Sequence, residues 1–340
     1  MKFDFQSHLQ AFQKLGTEIS VLLNNGEFDA IIKQQSIENK WFTEENCQFA
    51  LTAIAKMLDR DSVNAFFEKY KHLFSEDQKT QRIAVISAGN IPCAAFHDFF
   101  CILVSGNQFI GKLSSQDTIL LPFLSKIIVK IFPEVEKNIV FVEKLSKFDK
   151  IIATGSNNSA RYFEYYFKDY PMLLRKNRNS IAILTGEESD EDLRKLSIDV
   201  FQYFGLGCRS VSKVYVPKGY NFSKLVEIFK ETSDRLLFHN GYVNNYEYQR
   251  AIYALNSVPF FDGNSFMLVE NQSLSSPVAV IYYESYDSLP NLLLEINRHT
   301  DRIQCIVTQN KSVENPVNFG NTQYPSLFDY PDNEDIMNFV

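Results

Sequence analysis

The chain's 340 residues, 45% apolar and 14% aromatic, suffice for two domains, each with a core of its own. A formal net charge of -7 excludes a general affinity for nucleic acid, since phosphate contacts need a basic face, and confines any anionic ligand to a local cluster of cations. No stretch approaches the roughly 20 apolar residues of a membrane span, and the opening MKFDFQSHLQ lacks the pattern of a secretory signal.

Up to about residue 80 the pattern predicts helices. Leu9, Phe12, Leu15, Ile19 and Leu22 recur at helical spacing. Thr43 is an N-cap, followed by Glu44 and Glu45 at the positive end of the helix dipole. From residue 82 strands alternate with helices. RIAVISAG is a strand, CAAFHDFFCILVSG a helix carrying both Cys93 and Cys101, QFIGKLSS a strand and DTILLPFLSKIIVKIF a helix. NIVFVE and KIIATG follow as strands and SARYFEYYFKDY as a helix. SIAILTG opens a second series: a helix near 190–204, the strand SKVYVP, helices at 222–236 and near 243–255, the strand PVAVIYYES, the helix LPNLLLEINRH and the strand RIQCIVTQ. This alternation predicts an α/β fold of mostly parallel sheets with crossover helices, divided near residue 180. The polar-aromatic tail is expected to dock on the body of the protein.

The five cysteines, at 47, 93, 101, 208 and 305, are scattered and include no CxxC pair, which predicts a reducing cytoplasm rather than a disulfide framework. Histidines 8, 72, 97, 239 and 299 lack metal-ligand spacing, so no metal site is expected. GxGxxG, GxxxxGK[ST] and GxSxG are all absent. Cys208 stands in QYFGLGCRSV, between a glycine turn and a β-branched run. It is either a small core residue or a nucleophile presented to a cleft. Asn90, after Gly89 and before Ile91-Pro92, is either a turn residue or an amide donor. His97 is more readily a packing residue than an acid catalyst.

Four stretches, SAGNIPCAAF, SGNQFIGKLSS, IIATGSNNSAR and FGLGCRSVSKVYV, fall in an order that resembles the aldehyde dehydrogenase superfamily. There they match a WNxP-like turn, a GNxxxxKPS strand, an FTGS turn and a GQxC cysteine segment. SLSSPVAVIYY resembles that superfamily's EIFGPV segment, with Ser273 where the ribose-binding glutamate would be. NKWFTEEN, FHDFF, GKLSSQDTILLP, RKNRNSIAIL and QYPSLFDYPDNEDIMNF are in turn similar to the LuxC-type acyl-CoA reductases.

The resemblance implies an aldehyde dehydrogenase-like fold with three segments. Residues 1–180 would carry N-terminal helices and an NAD(P)-binding domain, 181–315 a catalytic cysteine domain, and 316–340 a tail returning to the first domain. It implies reduction of an acyl-CoA thioester to an aldehyde by NADPH, with NADH as the alternative, through an acyl group on Cys208. Asn90 would stabilise the oxyanion. Lys112, Ser114 and Ser115 would meet the cofactor's ribose and phosphate, and Thr154, Gly155 and Ser156 its pyrophosphate. Where aldehyde-oxidising members have ELGGKS, whose glutamate activates the hydrolytic water, this chain has RKNRNS, with Arg175 in the glutamate's place. An arginine is no base at neutral pH, so hydrolysis of the acyl-enzyme is expected to be slow. Arg175, Lys176 and Arg178 are candidate phosphate or CoA contacts, or else surface charge or partners of the acidic run at 187–192. Reduction of an acyl phosphate, and a non-reducing acyl-carrying scaffold, stay open as alternatives. So do a homo-oligomer and an acyl-transferring partner enzyme.

Overall fold

The computed structural model of the protein describes residues 4–74 and 79–340. They form two compact units, one running to Asn177 and taking in Tyr324–Val340, the other Arg178–Gln323. Among the described residues no helix is long and apolar enough to cross a membrane.

The first unit begins with four helices, α1 (Phe5–Asn24), α2 (Asp29–Glu38), α3 (Glu44–Met57) and α4 (Arg60–Tyr70). The helical spacing on α1 buries Phe12, Leu15, Ile19 and Leu22. Thr43 caps α3 by accepting the Asn46 N–H at 3.2 Å, and Asp59 caps α4 through the N–H groups of Asp61 and Ser62. These helices share a core with α5 (Phe96–Val104) and α6 (Leu120–Ile131), in which Phe12, Phe66, Phe99 and Phe100 are fully buried. Each such side chain contributes about 1.5–3 kcal/mol of burial.

Behind that core lies a five-stranded parallel sheet built from β1 (Arg82–Ile86), β2 (Gln108–Lys112), β3 (Ile139–Phe141), β4 (Lys150–Thr154) and β5 (Met172–Arg175). The strand order is β3-β2-β1-β4-β5, so connections run in opposite directions on either side of the β1/β4 pair. The helix α7 (Asn157–Tyr166) follows β4. The expected helix over CAAFHDFFCILVSG is shorter than predicted. Cys93 lies in the turn before α5 with φ 57°, a left-handed conformation that no helix accommodates, so Cys93 and Cys101 do not share a helix.

The second unit comprises β6 (Asn179–Ile183), α8 (Asp190–Phe201), β7 (Val211–Pro217), α9 (Ser223–Ser233), α10 (Asn240–Leu255), β8 (Phe260–Asp262), β9 (Met267–Glu270), β10 (Val280–Tyr286), α11 (Leu289–Ile296) and β11 (Ile303–Val307). Its sheet has the order β11-β6-β7-β10-β9-β8, parallel except for the antiparallel β8/β9 edge. A capping box between Ser189 and Asp192 starts α8.

The chain rejoins the first unit at Tyr324, later than the expected residue 316. Residues 320–323 stay with the second unit because Gly320 and Thr322 donate hydrogen bonds to Asp199 of α8. Beyond them Leu327, Tyr330, Ile336 and Met337 enter the core of the first unit.

Candidate active site

Three of the candidate stretches leave neighbouring strands at the same end. In the register of the first sheet, Ile86 of β1 lies opposite Lys112 of β2 on one side and Ala153 of β4 on the other. The Asn90 turn, the Lys112–Ser115 turn and the Thr154–Ser156 turn therefore emerge side by side at the carboxyl end of the sheet. That end, at a reversal of strand order, is where open α/β sheets take ligands.

Backbone contacts lock the first two turns together. Ser87 donates its N–H to the Lys112 carbonyl at 3.2 Å, and Ser114 donates its N–H to Ser87 Oγ at 3.0 Å. Gly89 is required here, since a Cβ would stand 2.1 Å from Ser114 Oγ. Asn90 is exposed at the tip of its turn, and the left-handed Cys93 that closes it donates its N–H to Asp117 Oδ2 at 2.7 Å. Lys112 and Ser114 are half-buried and Ser115 is exposed. On the third turn the Gly155 N–H donates to the Arg175 carbonyl at 3.2 Å, and Ser156 caps α7 by accepting the Ser159 N–H. A Cβ on Gly155 would come within 2.9 Å of Ser159 and Phe163, so only glycine brings this backbone so close to α7.

The cations of 175–178 have separate partners. Arg175 is buried, and its Nη1 donates to Asp98 Oδ2 at 2.7 Å, with both side chains at most 4% exposed. Burial pulls the guanidinium's pKa down, the charge and hydrogen bond of Asp98 pull it up, and the partner prevails. Arg175 Nε and Nη2 and Asp98 Oδ1 are buried without a hydrogen-bond partner. Lys176 pairs with Glu164 at the surface, and Arg178 donates to the Thr300 and Ile303 carbonyls. His97 is buried with Nε2 3.0 Å from the Leu327 carbonyl. Burial holds its pKa below the usual histidine range, as suits a packing residue.

In the second unit Cys208 is exposed, whereas Cys47, Cys93, Cys101 and Cys305 are buried. The segment leading into it is strained. Tyr203, Phe204 and Gly205 adopt φ of 54°, 59° and 75° in succession, which costs about 1–2 kcal/mol at each non-glycine position. Packing offsets that cost: both aromatic side chains are buried, and the Phe204 ring lies 4.4 Å from that of His239. Past the strain, the Ser210 N–H closes a turn on the Gly207 carbonyl at 3.0 Å, and Ser180 Oγ donates to the Cys208 carbonyl at 2.9 Å. Among the described residues no group of three or more His, Cys, Asp or Glu side chains is placed to hold a metal ion.

Two units of this topology recur in solved structures. Aldehyde dehydrogenase 21 from Physcomitrella patens, solved with the product succinate, superposes with a TM-score of 0.66 at 13% identity, over 91% of this chain and 74% of that one. The fold is that of the aldehyde dehydrogenases. An NAD+ complex of an aldehyde dehydrogenase from Bacillus cereus gives 0.63 at 12% identity, over 91% of this chain and 73% of that one. An NAD-dependent benzaldehyde dehydrogenase from Corynebacterium glutamicum gives 0.62 at 13%, over 89% and 77%. No family model and no curated protein matches the sequence.

Three features of this aldehyde dehydrogenase fold escaped sequence reasoning. The left-handed Tyr203–Phe204 pair carries no glycine or asparagine to announce it. The anchoring role of Asp117 was hidden in a stretch assigned to a helix that begins only at Leu120. Arg175 reads with Lys176 and Arg178 as a phosphate or CoA contact, surface charge or partner of the 187–192 run, and only its place at the end of the apolar run PMLL hints that it is interior and paired with Asp98.

Proposed function

We propose that the chain is a cytoplasmic acyl-CoA reductase of the LuxC type, which converts an acyl thioester to an aldehyde through an acyl group carried on Cys208. The observation that carries this reading is the contrast among the thiols: Cys208 is the exposed one, on a turn that follows a strained left-handed segment, and the other four are buried. Thiolates of accessible cysteines exchange with thioesters at little energetic cost.

The carboxyl end of the first sheet suits a nicotinamide dinucleotide. It combines a close-approach glycine at the N-terminus of a ten-residue helix, where free N–H groups favour a pyrophosphate, with a lysine ending the adjacent β2. Thr154, Gly155 and Ser156 would hold the pyrophosphate, and Lys112, Ser114 and Ser115 the adenosine ribose and any 2′-phosphate. The NAD+ complex of the Bacillus cereus neighbour supports a dinucleotide of this class, with NADPH the expected form here. When bound, NAD(P)H supplies the hydride that reduces the acyl group.

The residues of the chain do the rest. Cys208 attacks the thioester carbonyl, a carbon–sulfur bond forms, and the bond to CoA breaks with CoA leaving as a thiolate that takes a proton from solvent. Asn90 and the Cys208 N–H are the donors assigned to the oxyanion. After reduction the carbonyl oxygen is left as an alkoxide, which re-forms the C=O bond as the carbon–sulfur bond breaks, so aldehyde departs and the Cys208 thiolate is regenerated. Arg175, interior and bound to Asp98, offers no base to an attacking water, so the acyl-enzyme persists.

Incubation with a series of acyl-CoAs should add one acyl mass to the protein, and NADPH should then discharge it as aldehyde. Cys208→Ala should lose both steps, and full activity in that variant would refute the mechanism. A non-reducing acyl carrier is favoured by one observation, the exposed Ser273 on the loop between β9 and β10 where a ribose-binding glutamate is expected. Acylation of Cys208 without any shift in melting temperature on adding NADPH or NADH would select that reading.

A further inference from the structure

The residues on the far side of Cys208 are held by a group that the proposed chemistry does not use. Asp199, on α8, is fully buried, and three donors converge on its carboxylate. Oδ2 accepts the Gly320 N–H at 2.7 Å, while Oδ1 accepts the Thr322 N–H at 3.0 Å and the Thr322 hydroxyl at 2.7 Å. The loop so fixed reaches directly to the two residues after the thiol. Arg209 Nε donates to the Thr322 carbonyl at 2.5 Å, and Gln323 Nε2 donates to Ser210 Oγ at 3.3 Å. Thr322, Gln323 and Ser210 are themselves buried, so these links are shielded from competing water.

We propose that Asp199 is a positioning residue for the nucleophile: through the 320–323 loop it fixes Arg209 and Ser210, and with them the backbone and the electrostatic surroundings of Cys208. The inference rests on reading Cys208 as the nucleophile. Stability alone does not account for a carboxylate at this position. Burial pushes its pKa up to about 6, against the pull of Gly320, Thr322 and the charge of Arg209, so the ionised form is held at a cost. Geometry does account for it. Donors approach both oxygens, and a carboxylate accepts on both, whereas an asparagine would turn an NH2 group toward one set of donors. The arrangement also keeps a guanidinium anchored one residue from the thiol, and a fixed neighbouring cation favours the thiolate.

The test uses the full chain and two readouts, on Asp199→Ala, Asp199→Asn and Arg209→Lys variants whose far-UV circular dichroism matches wild type. The first is the rate of Cys208 alkylation by iodoacetamide as a function of pH, followed by intact mass. The second is single-turnover acylation by octanoyl-CoA. Asp199→Ala is expected to slow acylation by about 10²-fold with the concentration dependence on octanoyl-CoA unchanged. Its alkylation is expected to slow about fivefold at pH 7, with the midpoint of the profile moved upward. Asp199→Asn, which keeps one acceptor, should fall between Ala and wild type. Arg209→Lys keeps the charge but not the planar Nε donor to Thr322, and should reproduce the Asp199→Ala result even where that variant fails to fold. Rates within twofold of wild type in the folded variants, with only a lowered melting temperature, would reduce Asp199 to a structural role and overturn the inference. If wild-type Cys208 is alkylated but takes no acyl group, the reductase reading fails while the alkylation profiles still decide the role of Asp199.

Discussion

Asp117 shows what a single buried charge costs this protein. Burial pushes its pKa up to about 6, with the Cys93 N–H opposing, and its Oδ1 has no hydrogen-bond partner. The folded state therefore binds its proton more tightly than the unfolded chain does. Its contribution to stability is complete below pH 4 and is lost as the pH rises through 6, a loss on the order of 3 kcal/mol. Asp117→Asn keeps an acceptor for the Cys93 N–H and removes the ionisation. Urea unfolding at pH 4.5 and 7.5 should show a marked fall in stability for the wild type and one about half as large for the variant, in which Asp199, raised likewise by burial, still ionises. The Arg175–Asp98 pair obeys a different rule, because both partners are interior. Arg175→Met alone should destabilise by about 3–5 kcal/mol by leaving Asp98 uncompensated, whereas Arg175→Met with Asp98→Leu should recover most of that loss. The double variant, with Asp98 removed as well, gains no base, so on the proposed mechanism mass spectrometry should find the acyl group on Cys208 no shorter-lived in it.

The start of α7 carries a prediction of its own. Gly155→Ala places a methyl group 2.9 Å from Ser159 and Phe163, which forces the turn away from the helix N-terminus. NADPH affinity, followed by fluorescence titration, should weaken about tenfold or more, with the melting temperature lowered only modestly. How much of each element was legible follows from the same local physics. Helices α1 and α3 could be read because their apolar residues recur at helical spacing and, for α3, because Thr43 and two glutamates mark the start. The parallel strands RIAVI and KIIAT could be read because both faces of the sheet are covered, which makes each a continuous apolar run. The strands β5, β8 and β9, at four, three and four residues, were too brief to separate from their neighbours. At the candidate site, Gly155 stood out because close approach demands a glycine there, and Cys208 because it follows a glycine turn, where the structure leaves it exposed. The left-handed backbone of Cys93, Tyr203 and Phe204 did not, since tertiary packing imposes it on residues that would not choose it.

For the molecule as a whole, the final segment decides whether the first unit is complete. Leu327, Tyr330, Ile336 and Met337 lie in its core, and Tyr330 and Asp335 both hydrogen-bond the Tyr70 hydroxyl. Four buried side chains at about 1.5–3 kcal/mol each amount to much of the 5–15 kcal/mol typical of a folded domain. Truncation after Gln323 should therefore unfold the first unit and leave the second intact. Calorimetry would then record one cooperative transition, and limited proteolysis would yield a resistant fragment near 178–323.

The chain path also orders events during synthesis. The second unit is continuous in sequence, whereas the first closes only with residues 324–340, which are translated after all of it. At about 5–20 residues per second the nascent helical layer waits on the order of ten seconds for its missing wall, with aromatic surface open to solvent. A ribosome-bound chain lacking Tyr324–Val340, and extended by a linker long enough to carry Gln323 clear of the exit tunnel, should thus recruit chaperones at its amino-terminal part while the second unit has already matured.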